Sequence, residues 1–249
     1  MSFSDIASVY DRFNDLSVYE YWLDFTMNST QNQPDHVLDL ACGTGWFTQL
    51  LSPFVGHITG VDIDQGMLDI AQEELGGIDN ITLSQGDMLN LSFEENSFDM
   101  ITCYLDSLCF LEKGEDVSTA LSEMYRVLKP GGVLLFDVLT PYMITVGFDE
   151  FNYHDYDETG ALMWDSESNK ESVSVTHYLT VFDQDEKTGQ YIRQEADLTE
   201  SSYPLQSYQQ WLNEAGFNKD IEVFVDFASR PYEEESDQDA ERWFFRVYK

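Results

Sequence analysis

The chain has 249 residues, with 12 Lys and Arg against 47 Asp and Glu, a formal net charge of -35. That length suffices for one α/β domain with an insertion and a full core. The charge argues against a free-standing DNA or RNA binder, because neutralising phosphates needs clustered Lys and Arg, and against anionic membrane surfaces.

The same acidity draws in cationic or amine-bearing ligands. Cys42, Cys103 and Cys109 form an odd set with no C-x-x-C, which points to reduced thiols. His36, His57, His154 and His177 are scattered, so no metal site is expected. Met1-Ser2-Phe3-Ser4-Asp5 lacks the basic and apolar parts of a signal peptide, and no apolar run reaches membrane-spanning length. A cytoplasmic protein is expected.

Residues 4–28 read as helical and aromatic, with Ile6, Val9, Tyr10 and Phe13 at helical spacing, a break over Asn14-Asp15-Leu16-Ser17, and a second helix from Val18 to Met27. Gln33-Pro34 closes this N-terminal cap, residues 1–33. A strand, Val37 to Leu40, then feeds through Ala41-Cys42-Gly43-Thr44-Gly45 into a helix, Trp46 to Leu51. Such a turn brings backbone N–H groups close to a ligand. Gly43 and Gly45 supply two glycines of a dinucleotide fingerprint, but Thr48 stands at the third. The alternative is D-x-G-x-G, with Asp39 as the acid at the strand end and the turn wrapped around an amino acid.

A second strand, His57 to Val61, runs into Asp62-Ile63-Asp64. An acid there, about twenty residues past the glycines, is where a ribose is held. Asp62 is preferred, because Asp64 stands at the N-cap of the next helix, Gln65 to Leu75. Gly76-Gly77 ends that helix, and Ile81 to Ser84 leads to Gly86-Asp87-Met88. A fourth strand, Met100 to Tyr104, places Tyr104, Asp106 and Ser107 at its carboxyl end. A helix from Asp116 to Leu128 stops at Lys129-Pro130-Gly131-Gly132, before a fifth strand from Val133 to Leu139.

From residue 141 to 204 the period changes to two. Val175, His177, Leu179 and Val181 share one face, Asp183 to Gly189 reads as a polar hairpin, and Tyr191 to Leu198 alternates again. This is expected to be an inserted antiparallel β subdomain over the active-site end, approached by Phe148, Phe151, Tyr153, Tyr156 and Trp164. A helix, Leu205 to Ala215, and strands Ile221 to Phe227 and Arg242 to Tyr248 complete the chain. The run Glu233 to Asp239 reads as a solvated loop.

In order, D-L-A-C-G-T-G (39–45), V-D-I-D (61–64), G-D-M (86–88), L-K-P-G-G (128–132) and the closing strand pair resemble the class I S-adenosylmethionine (SAM)-dependent methyltransferases. The Val9-Tyr10-Asp11 segment and the late insertion look closest to small-molecule and sugar-amine N-methyltransferases and to uncharacterised bacterial relatives. Ala41 stands where many members have glycine. The resemblance covers Tyr10 to Tyr248.

It implies a doubly wound, seven-stranded Rossmann-like α/β sheet with an antiparallel terminal pair, a helical cap, a core of residues 34–140 and 205–249, and residues 141–204 as an acceptor lid. It implies SAM as cofactor, with contacts at Tyr10, Ala41, Gly43, Asp62, Ile63, Asp87 and Met88, to which Asp39, Gly45, Met67 and Tyr104 are added as candidates. Asp106, Tyr104 and His177 are the catalytic candidates, with His154 the other imidazole of the insertion. Tyr19, Trp22, Asp106 and Ser107 are placed on the acceptor, a small molecule with an amine or hydroxyl. Nucleic acid and membrane partners are not expected, and a monomer or homodimer is. A tRNA or protein methyltransferase, an NAD-dependent oxidoreductase and a non-catalytic SAM-binding protein are the alternatives.

Overall fold

The computed structural model describes residues 7, 12–13, 16–30, 32–185, 187–218 and 221–249. Five strands, β1 (His36–Leu40), β2 (His57–Asp62), β3 (Ile81–Gln85), β4 (Phe98–Cys103) and β5 (Leu128–Leu139), pair in parallel in the order 3-2-1-4-5. Between them run α1 (Tyr19–Asn28, before β1), α2 (Trp46–Leu51), α3 (Gln65–Leu75) and α4 (Gly114–Val127). The strand order reverses between β1 and β4, so a crevice opens at their carboxyl ends.

The insertion folds as a separate antiparallel sheet of four strands, β6 (Asn152–Tyr156), β7 (Gly160–Asn169), β8 (Ser174–Gln184) and β9 (Tyr191–Ser201). The chain then returns through α5 (Leu205–Ala215), β10 (Ile221–Val225), β11 (Arg230–Pro231) and β12 (Arg242–Tyr248). The terminal pair β10–β12 is antiparallel, and β12 lies antiparallel to β5.

Alternation along β5 divides the core between the two faces of the large sheet. Leu134, Phe136 and Val138 face α4 and α5, where Leu121, Met124 and Leu212 pack, and Phe136 stacks on Phe245 at 4.4 Å. Val133 and Leu135 face the other way, toward Trp22 and Phe25 of α1 and Leu51 of α2. The four-stranded sheet has a small core of its own, Leu162, Leu179, Val181 and Ala196.

Several boundaries differ from the sequence expectation. The large sheet has eight strands, because Arg230–Pro231 adds a short edge beside β10. The fifth strand starts at Leu128, so Pro130-Gly131-Gly132 lie inside it as an irregularity in register against β4. The tenth strand ends at Val225, because Asp226, Phe227 and Ala228 are all left-handed. Two of the insertion's strands, β6 and β7, carry the aromatic approach residues Tyr153, Tyr156 and Trp164. Within the acidic run, Asp237 is buried and grips Arg230 through both carboxylate oxygens at 2.8 Å, which pulls its carboxyl down to about 2.

Candidate active site

A cavity of about 710 Å³ opens at the carboxyl ends of β1, β2, β3 and β4. Its floor is the glycine turn. Asp39, at 3 % exposure, accepts from the hydroxyls of Thr48 (2.6 Å) and Thr102 (2.7 Å), which bolts β1 to α2 and β4. Burial pushes its carboxyl up to about 6. Asp39 therefore braces the turn, with both of its oxygens engaged.

Ala41 (φ 55°), Gly43 (φ 55°) and Gly45 (φ 85°) are left-handed. Gly43 lines the cavity with nothing within 4 Å of where a Cβ would stand, so its backbone is open to a ligand. Gly45 is different. It does not border the cavity, and a Cβ there would lie 2.5 Å from Leu75 Cδ1. The second glycine is thus required for close packing of the turn on α3, a role apart from the cofactor contact expected of it. Ala41 borders the cavity and holds a backbone conformation that costs an L-residue about 1–2 kcal/mol.

Asp62 ends β2 with one carboxylate oxygen accepting from Gly43 N (2.8 Å) and the other from Asp64 N (2.8 Å). It faces the cavity, and its carboxylate has more acceptor sites than backbone donors, so at least one remains for a ligand. Burial raises its carboxyl above the usual range, against the N–H groups of Asp64, Gly43 and Ile63. Asp64 caps α3 by accepting from Gly66 N at 2.8 Å, as its position in the sequence predicts. Ile63, two-thirds exposed, and Met67, buried, flank the same region, with Gly86, Asp87 and Met88 across from them. Asp87 accepts from Leu89 N at 2.9 Å, which shapes the β3 turn. An open backbone cradle, a carboxylate with spare lone pairs and a second acid one βα unit on fit an adenosyl group joined to an amino acid. Tyr10, expected to reach over it, lies outside the described residues.

The other end of the cavity is polar, and much of it was not anticipated. Leu105 and Asp106 are left-handed, with φ 56° and 53°. They are held by Asp137, a fully buried residue of β5, which accepts from Leu105 N (2.8 Å), Asp106 N (3.1 Å), Trp22 Nε1 (2.9 Å) and the Arg242 guanidinium. Arg242 also pairs with Asp106 at 2.7 Å and lies over the Trp22 ring. Four donors and no acceptor around Asp137 leave no place for a carboxyl proton, so it stands as a carboxylate. Ser107 and Tyr19 also border the cavity.

Tyr104 borders the cavity with its ring, but its hydroxyl is committed: Thr26 donates to Trp22 O (2.7 Å), so the 2.8 Å bond to Thr26 is donated by Tyr104. Burial pushes that phenol well above its usual range. Both facts remove Tyr104 from proton transfer.

The insertion supplies the roof through Phe148, Trp164, His177, Leu179, Leu198 and Glu200. Arg12 bridges to it, pairing with Asp157 and Asp183 at 3.1 Å each, and Phe13 packs against its small core. His177 is buried, with Nδ1 3.0 Å from the donating Trp164 Nε1 and 2.7 Å from Ser166 Oγ. Its hydrogen therefore sits on Nε2, 3.4 Å from Glu200 Oε2. Burial depresses its pKa to about 4. No lone pair of His177 is left for a proton from the cavity, so the imidazole is not placed as a base. His154 lies on the exposed edge strand β6, away from the cavity.

Asp137, Glu200 and Arg242 escaped the sequence reading. The signal available was an acid inside the otherwise apolar run Val133 to Leu139, which must be paired to be buried. Among the described residues, no group of three or more His, Cys, Asp or Glu is arranged to hold a metal ion, and no helix is long and apolar enough to cross a membrane. The three cysteines are free thiols, Cys42 beside the cavity.

Comparison with known proteins agrees with this geometry. A family profile described as a methyltransferase domain matches residues 37–132. The Bacillus subtilis (strain 168) protein YqeM, whose name gives a methyltransferase and no substrate, is 30% identical over 249 residues, covering 100% of this chain and 98% of that one. A demethylmenaquinone methyltransferase of Staphylococcus epidermidis is 36% identical over 140 residues, 53% of this chain and 56% of its own. Among solved structures, a SAM-dependent methyltransferase of Clostridium acetobutylicum ATCC 824 superposes with a TM-score of 0.83 at 24% identity, covering 99% of this chain and 98% of that one. SAM-bound CalS10, an amino pentose methyltransferase of Micromonospora echinaspora, gives 0.74 at 18% identity, covering 100% and 98%. From the ordered motifs, the cradle they build and a relative matched end to end, the chain belongs to the SAM-dependent methyltransferases.

Proposed function

We propose that this methyltransferase acts on a small molecule bearing an amine or hydroxyl, bound between the N-terminal cap and the insertion. On this reading residues 1–33 are the cap, 34–140 and 205–249 the SAM-binding core, and 141–204 the acceptor lid. The observation that carries it is the single cavity running from the Gly43–Asp62–Asp87 cradle to the Asp106–Glu200–Arg242 end, roofed by the four-stranded sheet. Its volume falls within the roughly 300–1,000 Å³ of small-molecule sites.

SAM, when bound, supplies an electrophilic methyl group, so the protein's task is alignment and proton handling. Asp62 holds the ribose hydroxyls and Gly43 leaves room for the backbone to approach. Asp106, fixed by Asp137 and Arg242, receives a hydrogen bond from the acceptor and orients its lone pair. Trp22, Tyr19, Phe148 and Trp164 exclude water and offer ring faces to an apolar or cationic body. His177 positions Glu200 and transfers no proton itself. The net charge of -35 weighs against tRNA as acceptor and toward a cation.

The test is to incubate the protein and methyl-labelled SAM with a cell extract divided into small-molecule, RNA and protein fractions. Label should enter the small-molecule fraction, and Asp106→Asn and Tyr19→Ala should slow that transfer while SAM affinity is kept. Label in RNA or protein, or full transfer rates in both variants, would contradict the proposal.

A further inference from the structure

The inference concerns Glu200 and rests on the reading of the polar end as the acceptor pocket. Asp106, after β4, and Glu200, at the end of β9, come from distant parts of the chain and border the same end of the cavity. Glu200 meets the neutral imidazole of His177 at 3.4 Å, and burial, then the nearby Asp106, raise its carboxyl well above the usual range, so Glu200 holds a proton. Arg242 is paired with Asp106, which leaves the proton on Glu200, and burial of Glu200 to 4 % exposure keeps it there.

The other groups that face this pair are few. Cys109 comes from the turn after β4, Asp137 from β5, His177 from β8 and Arg242 from β12. Cys109 is a thiol pushed well above its usual range by burial, and His177 is neutral. One guanidinium therefore answers three carboxyl groups. The pocket is short of positive charge, and a proton or a bound cation supplies one. Trp22, Phe148 and Trp164 border the same space, and aromatic rings suit the second.

We propose that Glu200 is the specificity-determining residue of the acceptor pocket, selecting a cationic amine over a hydroxyl by exchanging the proton it holds for the incoming ammonium. The exchange balances: one ammonium enters, one proton leaves for solvent, and both carboxylates then accept N–H bonds from the amine. Before methyl transfer one N–H proton passes to a carboxylate oxygen, its electron pair staying on nitrogen as the nucleophile. A hydroxyl brings no charge, leaves the Glu200 proton in place and meets a pair that can offer only one good acceptor.

The experiment is calorimetry on the protein saturated with S-adenosylhomocysteine, titrated at pH 7 with cyclohexylamine or cyclohexanol, in two buffers of different protonation enthalpy. The amine should bind at least about tenfold more tightly and release about one proton, read from the buffer dependence of the heat. In Glu200→Gln the proton release should vanish and the preference fall below about threefold, with S-adenosylhomocysteine affinity unchanged. Amine binding without proton release, or no tighter than the alcohol, in wild-type protein that binds S-adenosylhomocysteine normally would overturn the proposal whatever the variant does. If neither probe binds the S-adenosylhomocysteine complex, the acceptor-pocket reading itself falls, and this inference with it.

Discussion

Replacing each glycine of the turn with alanine separates binding from packing. Gly45 has φ 85°, and an added Cβ would lie 2.5 Å from Leu75 Cδ1 and 3.3 Å from Ala71 Cβ. Leu75 is only 2 % exposed, so its methyl has little room to swing away. The left-handed backbone costs an alanine about 1–2 kcal/mol, and a carbon forced into filled space about 1–3 kcal/mol more. The sum, about 2–5 kcal/mol, lowers Tm by about 4–20 °C in a chain of this size. Gly43 has φ 55° and no neighbour within 4 Å of the added methyl, so its alanine pays only the backbone cost. That methyl would project into the cradle. Gly43→Ala should therefore melt within a few degrees of wild type yet lose most of its SAM affinity, whereas Gly45→Ala should melt early and bind SAM normally while folded. Melting curves and calorimetry on both proteins check this. A Gly45→Ala protein with wild-type Tm and lost SAM affinity would refute the division.

Asp62→Ala should weaken SAM by several-fold to a hundredfold, since hydrogen bonds to charged groups are worth ~1.5–3 kcal/mol; it should also lower Tm, because Gly43 N and Asp64 N lose their acceptor. Equal affinity in the folded variant would remove Asp62 from the ribose. Ala41→Gly, relieving a left-handed alanine, should keep or raise Tm by up to about 1 kcal/mol of stability, and a clear loss would show that the Ala41 methyl packs usefully. His177 has a folded pKa of about 4 against an ordinary 6.5, so between those values the unfolded chain takes up a proton that the folded one refuses. Stability from the neutral imidazole is complete above pH 6.5 and falls by up to about 3 kcal/mol as pH drops to 4. Asp39, raised to about 6, acts in the opposite sense over part of that window, so the observable is the difference between wild type and His177→Gln. The variant's deficit should shrink on acidification, and a pH-independent deficit would contradict the assignment.

The βα alternation was legible because each strand is a short apolar run closed by glycine, proline or an N-cap, and those signals are local. Asp62, Asp64 and Gly43 could be located because each lies at or within three residues of a strand's carboxyl end. The polar end of the cavity was not legible in the same way. Asp106, Asp137, Glu200 and Arg242 lie on four separate elements, and only the pairing of β12 with β5 and the folding of β9 over the turn after β4 bring them together. Tyr104 was rightly placed at the strand end, but the direction of its hydroxyl depends on Thr26, 78 residues away. The packing of Gly45 against the side chain of Leu75 was not legible, because no glycine pattern reveals it.

The most direct test of the account is a crystal structure with S-adenosylhomocysteine bound. The account predicts the ribose hydroxyls on Asp62, the adenine beside Asp87 and Met88, and the sulfur turned toward the space enclosed by Trp22, Asp106 and Glu200. A product bound with its sulfur facing away from Asp106, or seated outside the Gly43–Asp62 cradle, would contradict it.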